Sequence, residues 1–238
     1  SKSQVPVGTW NMHLNYSNAT TVLEADNIIY VGTKSNLFTY DRIDYGIERF
    51  SVLDGLSSMD ISALAHSPEY DLLIVGYNDG NIDLLKNGSV INIPYINMAN
   101  VLSEKTINHI FIDDNLAYLS CLFGLVILDL EKQEIKETCY FSSNDFIVTV
   151  FESFVFDNSL HTPADNFLAN KIFVATSNGL YYANKNDNLL DLSVWQNNSR
   201  ISFSQGDFDT IINLAGIPVL QVGGVDLKEN GGKRLSIG

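Results

Sequence analysis

One motif returns four times along this chain, and it limits the fold more than any other feature. An apolar pair is followed by a large residue, a β-branched residue or Leu, a small pair, a short turn and a second strand. The copies are Ile28-Ile29-Tyr30-Val31-Gly32-Thr33 to Asn36-Leu37-Phe38, and Leu73-Ile74-Val75-Gly76-Tyr77 to Gly80-Asn81-Ile82. Then come Ala117-Tyr118-Leu119-Ser120 to Gly124-Leu125-Val126, and Ile172-Phe173-Val174-Ala175-Thr176 to Gly179-Leu180-Tyr181. The turn positions are Asn36, Gly80, Gly124 and Gly179. The first three are 44 residues apart and the last interval is 55.

Each half of the motif has a physical reason. A tight turn wants a residue that tolerates positive φ, which Gly and Asn supply at least cost. A small residue just before the turn lets neighbouring sheets approach. Runs such as Leu72 to Val75 are apolar on both faces, as a strand sandwiched between two sheets must be.

A further strand is expected before each hairpin, over Thr20 to Leu23, Ile61 to Ala65, Ile107 to Ile112 and Ile147 to Phe151. A looser outer strand follows, as in Ile47 to Val52, Val90 to Ile93 and Ile135 to Tyr140. Four strands per repeat of this length is the size of one β-propeller blade. A β-sandwich does not ask for a long strict period, and solenoid repeats are usually shorter. The expected fold is therefore an all-β propeller of four-stranded blades with about five repeats, or part of a seven-bladed one. The long third interval reads as an insertion around Phe154 to Asn170. Residues 1–238 read as a single domain, with clear blades to 205 and a degenerate or truncated repeat over 206–238. There Ile211 to Ala215 reads as an inner strand and Pro218 to Val222 as part of a contracted hairpin. A strand at Trp10 to Leu14 is placed to close the ring, which would hide both sheet edges.

Composition then narrows function. Fourteen Lys+Arg against 28 Asp+Glu give a net charge of −14, which repels phosphate backbones and anionic lipid surfaces. No nucleic-acid partner is expected. The one local basic group is Lys228, Lys233 and Arg234, in a glycine-rich stretch. No apolar run reaches the ~18 residues a membrane span needs, and Ser1 to Val7 lacks the pattern of a signal peptide. Cys121 and Cys139 fit no metal or redox spacing; they fall in one blade, where neighbouring strands would allow a disulfide, and two buried free thiols are the expectation.

Several ordered strings go beyond generic blade chemistry. Gly8-Thr9-Trp10 precedes His13-Leu14-Asn15-Tyr16, and Asp54-Gly55-Leu56-Ser57 sits before the second blade. Tyr77 to Leu85, Lys105-Thr106-Ile107-Asn108-His109-Ile110, Phe123 to Leu130 and Glu134-Ile135-Lys136-Glu137-Thr138 follow in order. Together they resemble the amino-terminal propeller of the PorZ family of the Bacteroidetes type IX secretion system. The Asp-Gly-Leu-Ser string with its glycine-turn hairpin also resembles the two-component-regulator propeller repeat of periplasmic sensors. The resemblance is best over 8–140, weaker to about 200, and fades beyond.

The PorZ resemblance implies an exported protein of the periplasm or outer-membrane surface, serving a complex that attaches cargo to anionic lipopolysaccharide. Its partners would be secretion or attachment proteins, or a glycan. It implies no catalytic residues here. Family chains are much longer, so part of that role belongs to domains this chain lacks. The sensor resemblance implies glycan sensing instead.

The residues that could carry catalysis are scattered, as expected of a scaffold. His13, His66, His109 and His161 stand apart; His109 reads as a core or channel histidine and His66 as surface. Nucleophile-elbow, zinc-protease and phosphate-loop motifs are absent. Asp113-Asp114-Asn115 and Asn184-Lys185-Asn186-Asp187-Asn188 carry calcium-type oxygens without the full spacing, and such residues serve turns. No catalytic, cofactor or metal site is expected. Phe38, Tyr40, Tyr77, Phe123, Tyr181 and Tyr182 read chiefly as inter-blade packing, with some rings near turns able to stack on a sugar. Binding is expected at loops joining blades, namely Asp54 to Asp60, Met98 to Thr106 and Asn144-Asp145.

Overall fold

The structure is a computed structural model that describes residues 18–143, 146–156, 170–197, 208–214, 217–222 and 235–236. Blade 1 comprises β1 (Ala19–Ala25), β2 (Ile28–Thr33), β3 (Leu37–Asp41) and β4 (Ile47–Phe50). Blade 2 comprises β5 (Ile61–Ser67), β6 (Leu72–Tyr77), β7 (Ile82–Lys86) and β8 (Ser89–Ile93). A one-turn helix α1 (Tyr95–Met98) leads to blade 3, made of β9 (Ile107–Asp113), β10 (Leu116–Cys121), β11 (Gly124–Asp129) and β12 (Glu134–Cys139). A two-stranded ribbon, β13 (Ser142–Ser143) and β14 (Phe146–Ile147), precedes blade 4. That blade holds β15 (Val150–Phe156), β16 (Lys171–Thr176), β17 (Gly179–Asn184) and β18 (Gln196–Asn197). A fifth sheet follows, β19 (Phe208–Leu214), β20 (Ile217–Val222) and β21 (Leu235–Ser236). Every sheet is an antiparallel meander in chain order.

The first strands of successive blades lie side by side, β1 by β5, β5 by β9, β9 by β15 and β15 by β19. They form the inner row of an all-β propeller. Links between blades and the β2–β3, β6–β7, β10–β11 and β16–β17 turns share one end, the crossover end; the remaining hairpin turns share the other, the turn end.

The small residue of the motif is where blades touch. A methyl added at Gly32 would lie 2.6 Å from Ile61 Cγ2, and one at Gly76 would lie 3.0 Å from Ile107 Cγ2. In blade 3 the same register position is Ser120, whose hydroxyl sits 3.0 Å from that of Ser153 in blade 4. Each first strand also carries a β-bulge after its first residue, leaving Thr20, Ser62, Asn108, Phe151 and Asp209 as the extra residue. Two of these reach the next blade: Thr20 Oγ1 lies 2.7 Å from the Ile61 carbonyl, and Asn108 Nδ2 donates to Val150 O at 2.7 Å. A bulge frees one side chain from the pleat, and the fold uses it to tie blade to blade.

Some expectations need correction. Blade 4's inner strand begins at Val150, not Ile147, because Phe146–Ile147 pairs with Ser142–Ser143 instead. The β-branched run from Ile147 to Phe151 contains no turn residue to mark that boundary. Phe154 to Phe156 is strand rather than insertion, so the extra length begins at 157, within the β15–β16 connection; 157–169 lie outside the described residues.

Gly80 and Gly179 have φ of 82° and 108°. Asn36 is not among the positive-φ residues; its turn is held by Thr33, whose Oγ1 accepts from Asn36 N at 3.0 Å and lies 2.9 Å from Asn36 O. Gly124 is required for space, since a Cβ there would lie 2.3 Å from the Cys139 carbonyl. Left-handed backbone also recurs where the motif did not suggest it, at Asp26, Asp71, Asp114 and Asn170 before the second strand of each blade. Asp and Asn tolerate that conformation because their short polar side chains bond locally.

Trp10 to Leu14, Asn144-Asp145 and the Lys228, Lys233, Arg234 group lie outside the described residues.

Candidate binding surface

The crossover end is built on buried polar anchors. The link from blade 1 to blade 2 starts as a capped 3-10 turn. Ser51 N donates to Asp54 Oδ2 at 2.9 Å, and Ser51 Oγ accepts from Leu53 N at 3.2 Å. Gly55 then takes φ of 109°, turning Leu56 into the core. Ser57 N donates to Asp83 Oδ2 at 2.7 Å. That carboxylate is fully buried and also accepts from Tyr77 Oη at 2.7 Å and from Asn92 Nδ2 at 3.0 Å. Three donors offset the cost of burying the charge. Burial, with Asp83 alongside, pushes the Tyr77 phenol well above its ordinary range, so it remains a donor. The Asp-Gly-Leu-Ser string is thus one half of a latch, and Asp83, within the Tyr77 to Leu85 string, is the other.

The second link is fastened in the same way. Lys105 Nζ donates to Asn97 O and Asn97 Nδ2 donates to Asp79 O at 3.0 Å, while Ser58 Oγ donates to Asp79 Oδ2 at 2.6 Å. Between Asn78, Asp79 and the 103–106 segment lies an open polar cleft of about 530 Å³. Beside it, at the rim between blades 2 and 3, is an apolar cleft of about 650 Å³ lined by Ile93, Tyr95, Met98 and Ile135. Met98 is 77% exposed and Tyr95 55%. Aromatic and Met side chains on a surface suit protein contact, and the amides and carboxylates of the open cleft suit hydroxyl-rich or amide-rich groups. Of the expected binding loops, 98–106 contributes lining residues to both clefts, while 54–60 reaches the open cleft through Ser58.

The remaining candidates resolve individually. His109 on β9 has Nε2 3.7 Å from Glu152 Oε1 on β15, while Nδ1 is buried without a partner. Burial lowers its pKa to about 4. At neutral pH the imidazole is uncharged and 3.7 Å is too long for a hydrogen bond, so the contact is a polar seam rather than an ion pair. His66 is not on the surface: its side chain is 10% exposed and its ring stacks on Tyr30 with centroids 6.4 Å apart. His13 and His161 lie outside the described residues.

The two oxygen-rich turns meet, but around a lysine: Lys185 Nζ donates to Asp113 Oδ2 at 2.9 Å and lies 3.6 Å from Asp114. Among the described residues no group of three His, Cys, Asp or Glu is placed to hold a metal. Cys121 and Cys139 are free and buried, on strands separated by β11. Burial raises both thiols, Cys139 to about 12. Of the aromatic residues, Tyr77, Phe123 and Tyr182 are buried, while Phe38, Tyr40 and Tyr181 are partly exposed.

No helix among the described residues is long and apolar enough to cross a membrane. No curated protein sequence matches the chain. Among solved structures it is similar to PorZ, an essential bacterial surface component of the type-IX secretion system of Porphyromonas gingivalis, with 24% identity and a TM-score of 0.75. That likeness covers 90% of this chain and 27% of PorZ, so the chain spans about a quarter of its relative. It is also similar to the extracellular domain of the putative one-component system BT4673 from B. thetaiotaomicron, with 16% identity and a TM-score of 0.65 over 92% of this chain and 27% of that one. The model of the type IX secretion PorZ N-terminal β-propeller domain matches residues 29–196. The chain therefore belongs to the family of PorZ amino-terminal β-propellers.

Proposed function

We propose that this chain is a non-enzymatic propeller scaffold of an exported, PorZ-type protein at the outer-membrane surface, holding protein partners for type IX secretion and for attachment of cargo to anionic lipopolysaccharide. The family match over residues 29–196 carries this reading. The partner surface is the crossover end, where rigidly latched loops present Tyr95 and Met98 beside a polar cleft. With a net charge of −14, the propeller is poorly suited to hold an anionic glycan unaided; that ligand falls to another domain or is bridged by a cation. In this reading residues 1–238 act as one propeller unit, complete or continued by further chain.

The test is capture from cell-envelope extracts on the immobilised chain. Secretion or attachment components should be recovered, and their yield should fall several-fold with Y95A/M98A. Recovery unchanged by that substitution moves the surface elsewhere, and recovery of none overturns the reading. A glycan-sensing role in a two-component regulator is the alternative, favoured by the likeness to the extracellular domain of the putative hybrid two-component system BT4673. A membrane helix and kinase domain encoded beyond residue 238 would establish it.

A further inference from the structure

The seam between blades 1 and 2 departs from the repeat at two positions. Cross-strand register aligns Thr39 with Leu84, Ile127 and Tyr182 of the following blades, since these pair with Tyr30, Ile74, Tyr118 and Phe173. Likewise His66 aligns with Ile112 and Val155, each paired with the second residue of its blade's second strand. Seams 2–3 and 3–4 are thus filled by bulky apolar side chains where seam 1–2 has a threonine and a histidine.

The consequence is a crevice of about 230 Å³ near the turn end, between the row Tyr30–Thr39–Glu48 of blade 1 and the row His66–Leu73–Leu85–Val90 of blade 2. Leu37 and Leu73 are its buried floor, and Tyr30 and His66 are stacked with an interplanar angle of 18°. The rim carries the carboxylates of Glu48 and Asp71. Lys86, which also lines it, directs its ammonium to the Tyr70 carbonyl at 2.6 Å.

Polar groups at positions that the repeat fills with hydrocarbon mark a departure from internal consistency, and such departures concentrate at functional sites. We propose that this crevice binds a small organic cation, its apolar stem on Leu37, Leu73 and Leu85 and its ammonium or guanidinium group against Tyr30, Glu48 and Asp71. Three features favour a cation over a neutral sugar. The floor is hydrocarbon, with few groups to pair with a ring of hydroxyls. An aromatic face attracts positive charge. The field at the Tyr30 hydroxyl is negative: after burial, Asp71, Asp26 and Glu48 are what raise its pKa. The volume is below the roughly 300–1,000 Å³ of drug-sized pockets, so the ligand is a small amine or the side chain of a partner's lysine or arginine.

The test titrates the chain with n-butylammonium chloride, using n-butanol at matched ionic strength as the neutral isostere, and reads chemical-shift changes. Saturable binding at least tenfold tighter for the ammonium is expected, weakened about tenfold by E48Q and abolished by T39L. Thr39→Leu installs the residue that blade 2 carries at that position, so the variant should fold and melt no lower than wild type. Equal binding of butanol, or a folded T39L that binds as wild type does, overturns the proposal. A peptide with a single lysine distinguishes the sources: tighter binding than butylammonium assigns the site to a partner's side chain, and weaker binding to a free amine.

Discussion

The seam between blades 2 and 3 and the seam between blades 3 and 4 meet one geometric demand with opposite chemistry. Both need a small residue opposite the start of the next inner strand. Gly76 meets it by having no side chain, so that Ile107 packs directly on its backbone. Ser120 meets it with a hydroxyl hydrogen-bonded to Ser153, beside Asn108 bonded to the Val150 carbonyl and His109 near Glu152. An apolar contact rewards closeness without dictating partners, whereas buried polar groups must find theirs. The first seam is tight through packing and the second through pairing.

The largest expected effect breaks the apolar seam. Gly76→Val should cost about 3 kcal/mol, because its Cβ would meet three atoms of Ile107 and Ile110 at 3.0–3.3 Å, two on Ile107 and one on Ile110. Chemical denaturation would show this, and a loss below roughly 1 kcal/mol would mean the blades can slide apart cheaply. In the polar seam, Asn108→Leu should cost about 2 kcal/mol by leaving the Val150 carbonyl without its donor. Ser120→Ala should cost about 1 kcal/mol, and the S120A/S153A double variant less than the sum of the singles, since neither hydroxyl is then stranded. Additive losses in that cycle would deny the pairing.

The smallest effect is a pH dependence. His109 titrates near 4 in the folded chain against about 6.5 unfolded. Between those values the unfolded state binds the proton first, so stability falls as pH drops from about 6.5 to about 4 and this contribution then levels off. Denaturation at a series of pH values should show a shallower slope for H109Q over that window. Partial exposure of the side chain keeps the effect modest.

Much of this was legible because it is local and repeated. The hairpins, their spacing and the small residues at Gly32, Gly76, Ser120 and Ala175 follow from backbone sterics at a fixed period. Resemblance in ordered strings carried the family. The bulges were not legible, since an extra residue in a strand leaves no compositional trace at Ser62 or Phe151. Nor was Asp83 as the anchor for Ser57, 26 residues away. Thr39 looked like an ordinary strand residue until cross-strand register set it beside Leu84 and Ile127.

By itself the sequence determined that this protein repeats one four-stranded unit and turns its chain at chosen glycines, because periodicity and φ preference are properties of short segments. Which residues face one another across a seam, and hence where polar groups meet a crevice or a latch, was decided only when the blades packed. Those contacts join residues far apart in the chain, and their chemistry depends on burial that no segment has alone.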